Sequence, residues 1–417
     1  MPSRLRWLAI AVFALANALN FMDRQMLAAL APQLMQEFHI TAAGYGDVIF
    51  AFSICYALVA PLAGLLIDRV GLTTGSTLAV GLWSLAGMAT GWTRSLGGLI
   101  ACRAALGAAE SAGIPATGKA SAVYLPPRER ALGSAVFQVG LTIGAIASPL
   151  IAQFVARAWG WRSAFVFVGA LGLFWIPLWL IVSRRVPRVR ESAFAASMPA
   201  RAVLRDRRYW ALLAANVLLM SVYSLWVNWT TVFLVKVHAM PQAQANYSLA
   251  WIPPIFATAG GLFGGWLTLR WSRGAADVTA ARLRVILLGS VLLLAGALVP
   301  LMPSPQLATV FICLSFFACV ASSVNIYALP LDLFGARSAG FTVAGLTSVY
   351  GLLQGVFSSV VGRVVDSYGF TPVCLAVAVL PLASWGILRM ALGQPGGQGP
   401  GQSARQMTPG HRASRVP

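Results

Sequence analysis

The chain has 417 residues, 58% of them hydrophobic and only 10% charged, with a formal net charge of +19. Soluble globular chains carry about 25% charged residues, so composition excludes an ordinary water-soluble enzyme or binding domain and points to the bilayer. The positive charge would suit a nucleic-acid binder, but most of the basic residues fall in loops on the N-terminal side of the apolar runs, which is the positive-inside pattern of a membrane protein.

Apolar runs of about 20 residues, each able to cross a hydrocarbon core about 30 Å thick at 1.5 Å per residue, recur about twelve times. The first, Leu8 to Ala31, follows Arg4 and Arg6 and contains "ALANA", which resembles a signal-peptide cleavage site. It continues into "LNFMDRQMLAALAP", so an uncleaved first helix is expected. Then come Tyr45 to Ile67, Ser76 to Trp92, Leu96 to Gly118, Ala131 to Val155 and Trp161 to Val182. The stretch "SRRVPRVRESAFAASMPARAVLRDRRYW" interrupts them with eight Arg, a topology signal that also suits anionic lipid head groups. Six further runs follow: Tyr209 to Val235, Ala245 to Leu269, Val285 to Leu301, Gln306 to Leu329, Phe341 to Gly362 and Pro372 to Arg389.

The expected organisation is therefore all-α, with six-helix bundles at 1–183 and 209–390, a cytoplasmic Arg-rich linker at 184–208 and a disordered cytoplasmic tail at 391–417. Cys55, Cys102, Cys313, Cys319 and Cys374 all lie in predicted spans without metal-ligand spacing and read as packing residues.

Local features recur in the two halves. "AGLLIDRVG" after the second run answers "GGWLTLRWSRG" after the eighth, and "YLPPRERALGS" after the fourth answers "ALPLDLFGARSAG" after the tenth. Internal repeats of this kind build many secondary transporters, with the substrate site at the midplane between them. On "GLLIDRVG" the chain resembles the major facilitator superfamily over nearly its full length, although "LTTGS" follows where that signature usually continues with basic residues. Within it, "NFMDRQMLAALAPQL", "IPATGKASAVYLPPRERALGSAVFQVGLTIGAIASP" and "WIPPIFATAGGLFGGWL" resemble the anion:cation symporters, notably bacterial hexuronate, glucarate and galactonate transporters.

Charge inside the membrane is costly, about 2.5 to 3.5 kcal/mol per residue on insertion scales, so such residues usually have partners and face a cavity. Asp23, Arg24, Arg103 and Glu110 lie well inside predicted helices. Arg103 and Glu110, two helical turns apart, share one face, whereas the adjacent Asp23 and Arg24 diverge by about 100°. They could simply tie the first and fourth helices together. Alternatively, the arginines hold an organic anion by bidentate hydrogen bonds while the carboxylates gain and lose protons.

The resemblance implies the second role, with Arg24 for the substrate and Asp23 and Glu110 for coupling; Arg103 is expected beside Arg24. It also implies Tyr56 and Gln138 as contacts to sugar-acid hydroxyls. From the second half Asn325, Tyr327, Thr347, Ser348 and Tyr350 are candidates, and Asn228 is a further cavity candidate, although small polar residues also serve helix packing. Asp68, Arg69, Arg128, Glu129 and Arg130 are expected to close a cytoplasmic gate.

"GIPATGKA", Gly113 to Ala120, matches a phosphate-binding loop up to its last residue, where Ala120 replaces the Ser or Thr that binds magnesium. Lying in an apolar run, it is expected to be helical and to bind no nucleotide. The sequence thus predicts a proton-coupled symporter for a small carboxylate, most simply a hexuronate, aldonate or aldarate. It is expected to be a monomer without cofactor, metal or nucleic-acid partner, multi-pass in a bacterial inner membrane, with both termini cytoplasmic. Two rivals remain: a proton antiporter exporting drugs or metabolites, suggested by Gly140, Gly144 and Pro149 in "GLTIGAIASPLIA", and a non-transporting sensor with a carrier fold.

Overall fold

The computed structural model describes residues 3–126, 129–186, 200–273 and 278–392. In the first half these form α1 (Ser3–Glu37), α2 (Ala42–Val70), α3 (Leu72–Thr90), α4 (Leu96–Glu110), α5 (Gly113–Tyr124), α6 (Arg130–Trp159) and α7 (Trp161–Arg185). The second half contains α8 (Ala200–Arg205), α9 (Arg207–His238), α10 (Gln242–Ser248), α11 (Pro253–Ser272), α12 (Val278–Leu293), α13 (Pro305–Tyr368) and α14 (Phe370–Leu392). A 3-10 segment, Leu294–Leu301, extends α12, and α13 divides at Gly335, whose φ of 73° no helix accommodates, into arms Pro305–Gly335 and Phe341–Tyr368.

Ten segments among the described residues are long and apolar enough to span a membrane. The other two predicted spans are α3, diluted by Thr, Ser and Gly, and the fourth run, which appears as α4 and α5. Pro115 explains that break: it lacks the N–H that would bond the carbonyl of Ser111. The predicted eighth run is likewise divided, with α10 ending before Pro253 and Pro254 open α11.

Side chains at helix starts satisfy amides that the helices leave free: Thr41, Ser95 and Ser304 accept from the backbone N–H three residues on. Gly71, at φ 86°, turns the chain directly from α2 into α3, a conformation costly for any residue with a Cβ. Helix α1 packs along α6 and α7, and α9 packs along α13 and α14. At Gly140 and Gly144 a Cβ would come within 2.3 and 2.2 Å of the carbonyl oxygens of Ala14 and Ala18, so these glycines let the α1 and α6 backbones touch.

The halves meet chiefly at the end away from the N-terminus. There Asp366 of α13 accepts the backbone amides of Ala42 and Ala43 at 2.9 and 2.7 Å, capping α2 from the opposite half. Asp47 accepts from Ser359 Oγ at 2.5 Å and pairs with Arg363 at 3.5 Å. Asn246 Nδ2 donates to the carbonyl of Ala29, and Tyr45 donates to the carbonyl of Asn228. At mid-depth the hydroxyls of Thr142 and Thr258 meet at 2.8 Å.

Candidate functional site

A cavity of about 730 Å³ lies between the halves, walled by α1, α6, α9, α11 and both arms of α13. Gln138, Tyr327, Thr347 and Tyr350, all singled out from sequence, line it. Phe21, Gln25, Tyr223 and Trp226 also line it, and sequence reasoning missed them. Gln25 carried a usable signal, as a polar neighbour of Arg24 inside an apolar run. Tyr223 and Trp226 carried none, because aromatic residues are common throughout the spans.

Beside the cavity the four membrane charges form one cluster. Arg24 Nε donates to Glu110 Oε2 at 2.6 Å; Glu110 is fully buried, while the Arg24 side chain keeps 27% exposure. The guanidinium lies 4.6 Å from the Tyr56 ring centroid and 5.2 Å from that of Phe52, so α2 supplies it with two aromatic faces. Gly351 of the second half packs against Tyr56, and Arg24 is within electrostatic reach of Tyr223 and Tyr350 on the cavity wall.

Arg103 sits further back. It is 2% exposed, approaches the carbonyl of Asp23 at 3.5 Å, and lies over the Phe165 ring. Asp23, also 2% exposed, turns its Oδ1 toward Gly87, where any Cβ would stand 3.2 Å away. Glu110 Oε1, Asp23 Oδ2 and Arg103 Nε and Nη2 are buried with no hydrogen-bond partner among the described residues. The cluster therefore balances two cations against two carboxylates by proximity more than by saturated hydrogen bonding, which leaves acceptor positions open to a proton.

Other predicted residues lie elsewhere. Asn325 is 1% exposed; its Oδ1 accepts from Thr268 at 2.6 Å and from Arg282 at 3.4 Å, so it joins α11, α12 and α13 rather than facing the cavity. Ser348 is exposed and is not among the lining residues. Asn228 donates to the carbonyl of Ser224 on its own helix. Among the expected gate residues, Arg69 is exposed, and Arg130 donates to the carbonyls of Leu125 and Ala122 in its own half. The side chain of Asp68 and the whole of Arg128 lie outside the described residues.

"GIPATGKA" is helical within α5, and Lys119 Nζ donates to the carbonyl of Ile67 at 3.1 Å, near the end of α2.

Two helical halves around a central cavity, with a compensated charge cluster at its edge, define a membrane carrier. The chain belongs to the Major Facilitator Superfamily, a family of transporters rather than enzymes, whose profile matches residues 13–347. It is 32% identical to the hexuronate transporter of Escherichia coli K12 over 399 residues, covering 91% of this chain and 92% of that one. It is 29% identical to the galacturonate transporter of Dickeya chrysanthemi, covering 76% of this chain and 95% of the relative. In fold it is similar to a bacterial homologue of the human lysosomal transporter Spinster, with a TM-score of 0.73, 19% identity and coverage of 94% and 96%.

Proposed function

We propose that this transporter carries a sugar acid into the cell with a proton, by alternating access of the two halves around the central cavity. The observation that carries the reading is the Arg24 to Glu110 pair: a partly exposed guanidinium at the cavity edge, held by a carboxylate that is fully buried. The printed names of the relatives, hexuronate and galacturonate transporters, support a sugar acid as the cargo.

Charge counting supports coupling. Asp23, Arg24, Arg103 and Glu110 sum to zero, so a bound monoanion leaves the cluster at minus one in a setting where uncompensated charge is costly. One proton, taken by Glu110 or Asp23, restores neutrality and frees the Arg24 guanidinium to fork onto the substrate carboxylate. When the loaded carrier faces the cytoplasm, proton loss lets Glu110 compete for Arg24 again and release the anion. This scheme needs no cofactor. It sets the N-terminal end of the bundle in the cytoplasm of a bacterial inner membrane, where the basic loops belong, and a monomer suffices. The glycines that suggested an exporter, Gly140 and Gly144, are accounted for by their contact with α1.

The test is uptake of labelled galacturonate and gluconate into proteoliposomes with and without an inward proton gradient. Accumulation that appears only with the gradient, and disappears in Arg24→Ala, is expected. Gradient-independent accumulation would refute the coupling, and export of cationic amphiphiles in place of acid uptake would replace the symporter by the antiporter.

A further inference from the structure

The lining of the cavity bears on which kind of sugar acid fits it, an inference that rests on the reading above. Among its described lining residues there is no Asp, Glu, Lys, Arg or His. Cationic charge reaches it from one side, through Arg24 at its edge, because Arg103 is buried behind Asp23. The wall that the second half supplies presents three phenols: Tyr223 from α9, Tyr327 from the first arm of α13 and Tyr350 from the second. Tyr327 lies beside the side chains of Asn216 and Thr347, and Tyr223 meets the Phe316 ring edge-on at 5.3 Å, which holds that ring in place.

A phenol hydroxyl both donates and accepts, which matches the neutral hydroxyls of a polyol. A second carboxylate lodged against the same wall would find only the one guanidinium that the first already engages, since no other cation stands among the described lining residues, and neutral donors would offset only part of its lost hydration. The two ends of the site therefore have different tastes, one for an anion and the other for neutral hydroxyls.

We propose that the site selects acids with a single carboxylate, bound at Arg24, whose hydroxylated body is read by Tyr223, Tyr327 and Tyr350, and that it discriminates against aldarates of the same length, which carry a carboxylate at both ends.

The experiment measures binding to the purified full-length chain at neutral pH by ligand-induced thermal shift, with two matched pairs: galacturonate against galactarate, and gluconate against glucarate. In at least one pair the monoacid binds and its diacid is weaker by at least about tenfold, a difference of 1.4 kcal/mol. Tyr350→Phe is expected to weaken the bound monoacid by about three- to tenfold, the size of one lost hydrogen bond. Diacids binding as tightly as monoacids, or more tightly, overturn the selectivity and leave the sugar-acid reading intact. Silence from all four acids overturns the sugar-acid reading, and the selectivity with it. A monoacid whose affinity is untouched by Tyr350→Phe removes that phenol from the recognition wall.

Discussion

Arg24 and Glu110 touch but differ in charge and setting. The guanidinium is permanently charged and partly exposed, whereas the carboxylate is enclosed and can lose its charge only by gaining a proton. Glu110→Gln keeps the size and a hydrogen-bonding group while removing the proton exchange. It is expected to retain counterflow of external for internal substrate within about threefold and to abolish gradient-driven accumulation; unchanged accumulation would sink the coupling role. Arg24→Lys keeps the charge but loses the planar fork and its stacking on Tyr56 and Phe52, so substrate affinity is expected to fall by at least about tenfold in a binding titration. The four charges were legible in the sequence because ionised residues within apolar runs are few. Asn325 was misleading for a physical reason: an amide in a span serves a helix junction as readily as a ligand, and here it is engaged by Thr268 and Arg282.

At the scale of helices, close packing decides more than hydropathy does. Gly144→Leu would drive a side chain into the Ala18 carbonyl and is expected to lower stability by about 1–3 kcal/mol, read as a fall in melting temperature in detergent, while Gly144→Ala costs less. The start of α9 offers a pH-dependent contribution outside the membrane. Asp206 caps this helix by accepting the Arg208 amide at 2.8 Å and pairs with the Arg208 guanidinium at 2.7 Å, which holds its carboxyl below the usual aspartate value. A carboxyl whose pKa is depressed by folding stabilises fully above its unfolded pKa of about 3.9 and loses that contribution as pH falls through the folded value. Asp206→Ala is accordingly expected to cost about 1 kcal/mol at neutral pH, with wild type and variant converging in acid melts. Equal melting temperatures at neutral pH would deny the cap any weight. Boundaries of this sort were only half visible beforehand: the prolines that divide α4 from α5 and α10 from α11 were in plain sight, but the apolar runs ran straight through them.

For the whole molecule, the proposed alternating access requires the halves to part where they now meet. Asp47 with Ser359 and Arg363, and Asp366 across the start of α2, bind the far end. Joining Asp47→Cys to Ser359→Cys with a short thiol cross-linker is expected to arrest uptake completely, with recovery when the linker is cleaved, while substrate binding from the N-terminal side persists. Full transport in the cross-linked carrier would show that this end need not open. Neither pairing could be foreseen, since Asp47 lies 312 residues from Ser359 and Asp366 lies 324 from Ala42.

Taken alone, the sequence determined the membrane class, the approximate spans, the echo between the halves and the four charges inside the spans, because these follow from hydropathy, local spacing and the cost of burying charge. The tertiary structure decided which arginine stands at the cavity edge, that Tyr223 joins Tyr327 and Tyr350 on the second half's wall, and at which end the halves are tied together. Those outcomes depend on the rotation of each helix about its axis and on how two separately coded halves meet. Both are set by side-chain packing between segments far apart in the chain, which periodicity within any one helix does not encode.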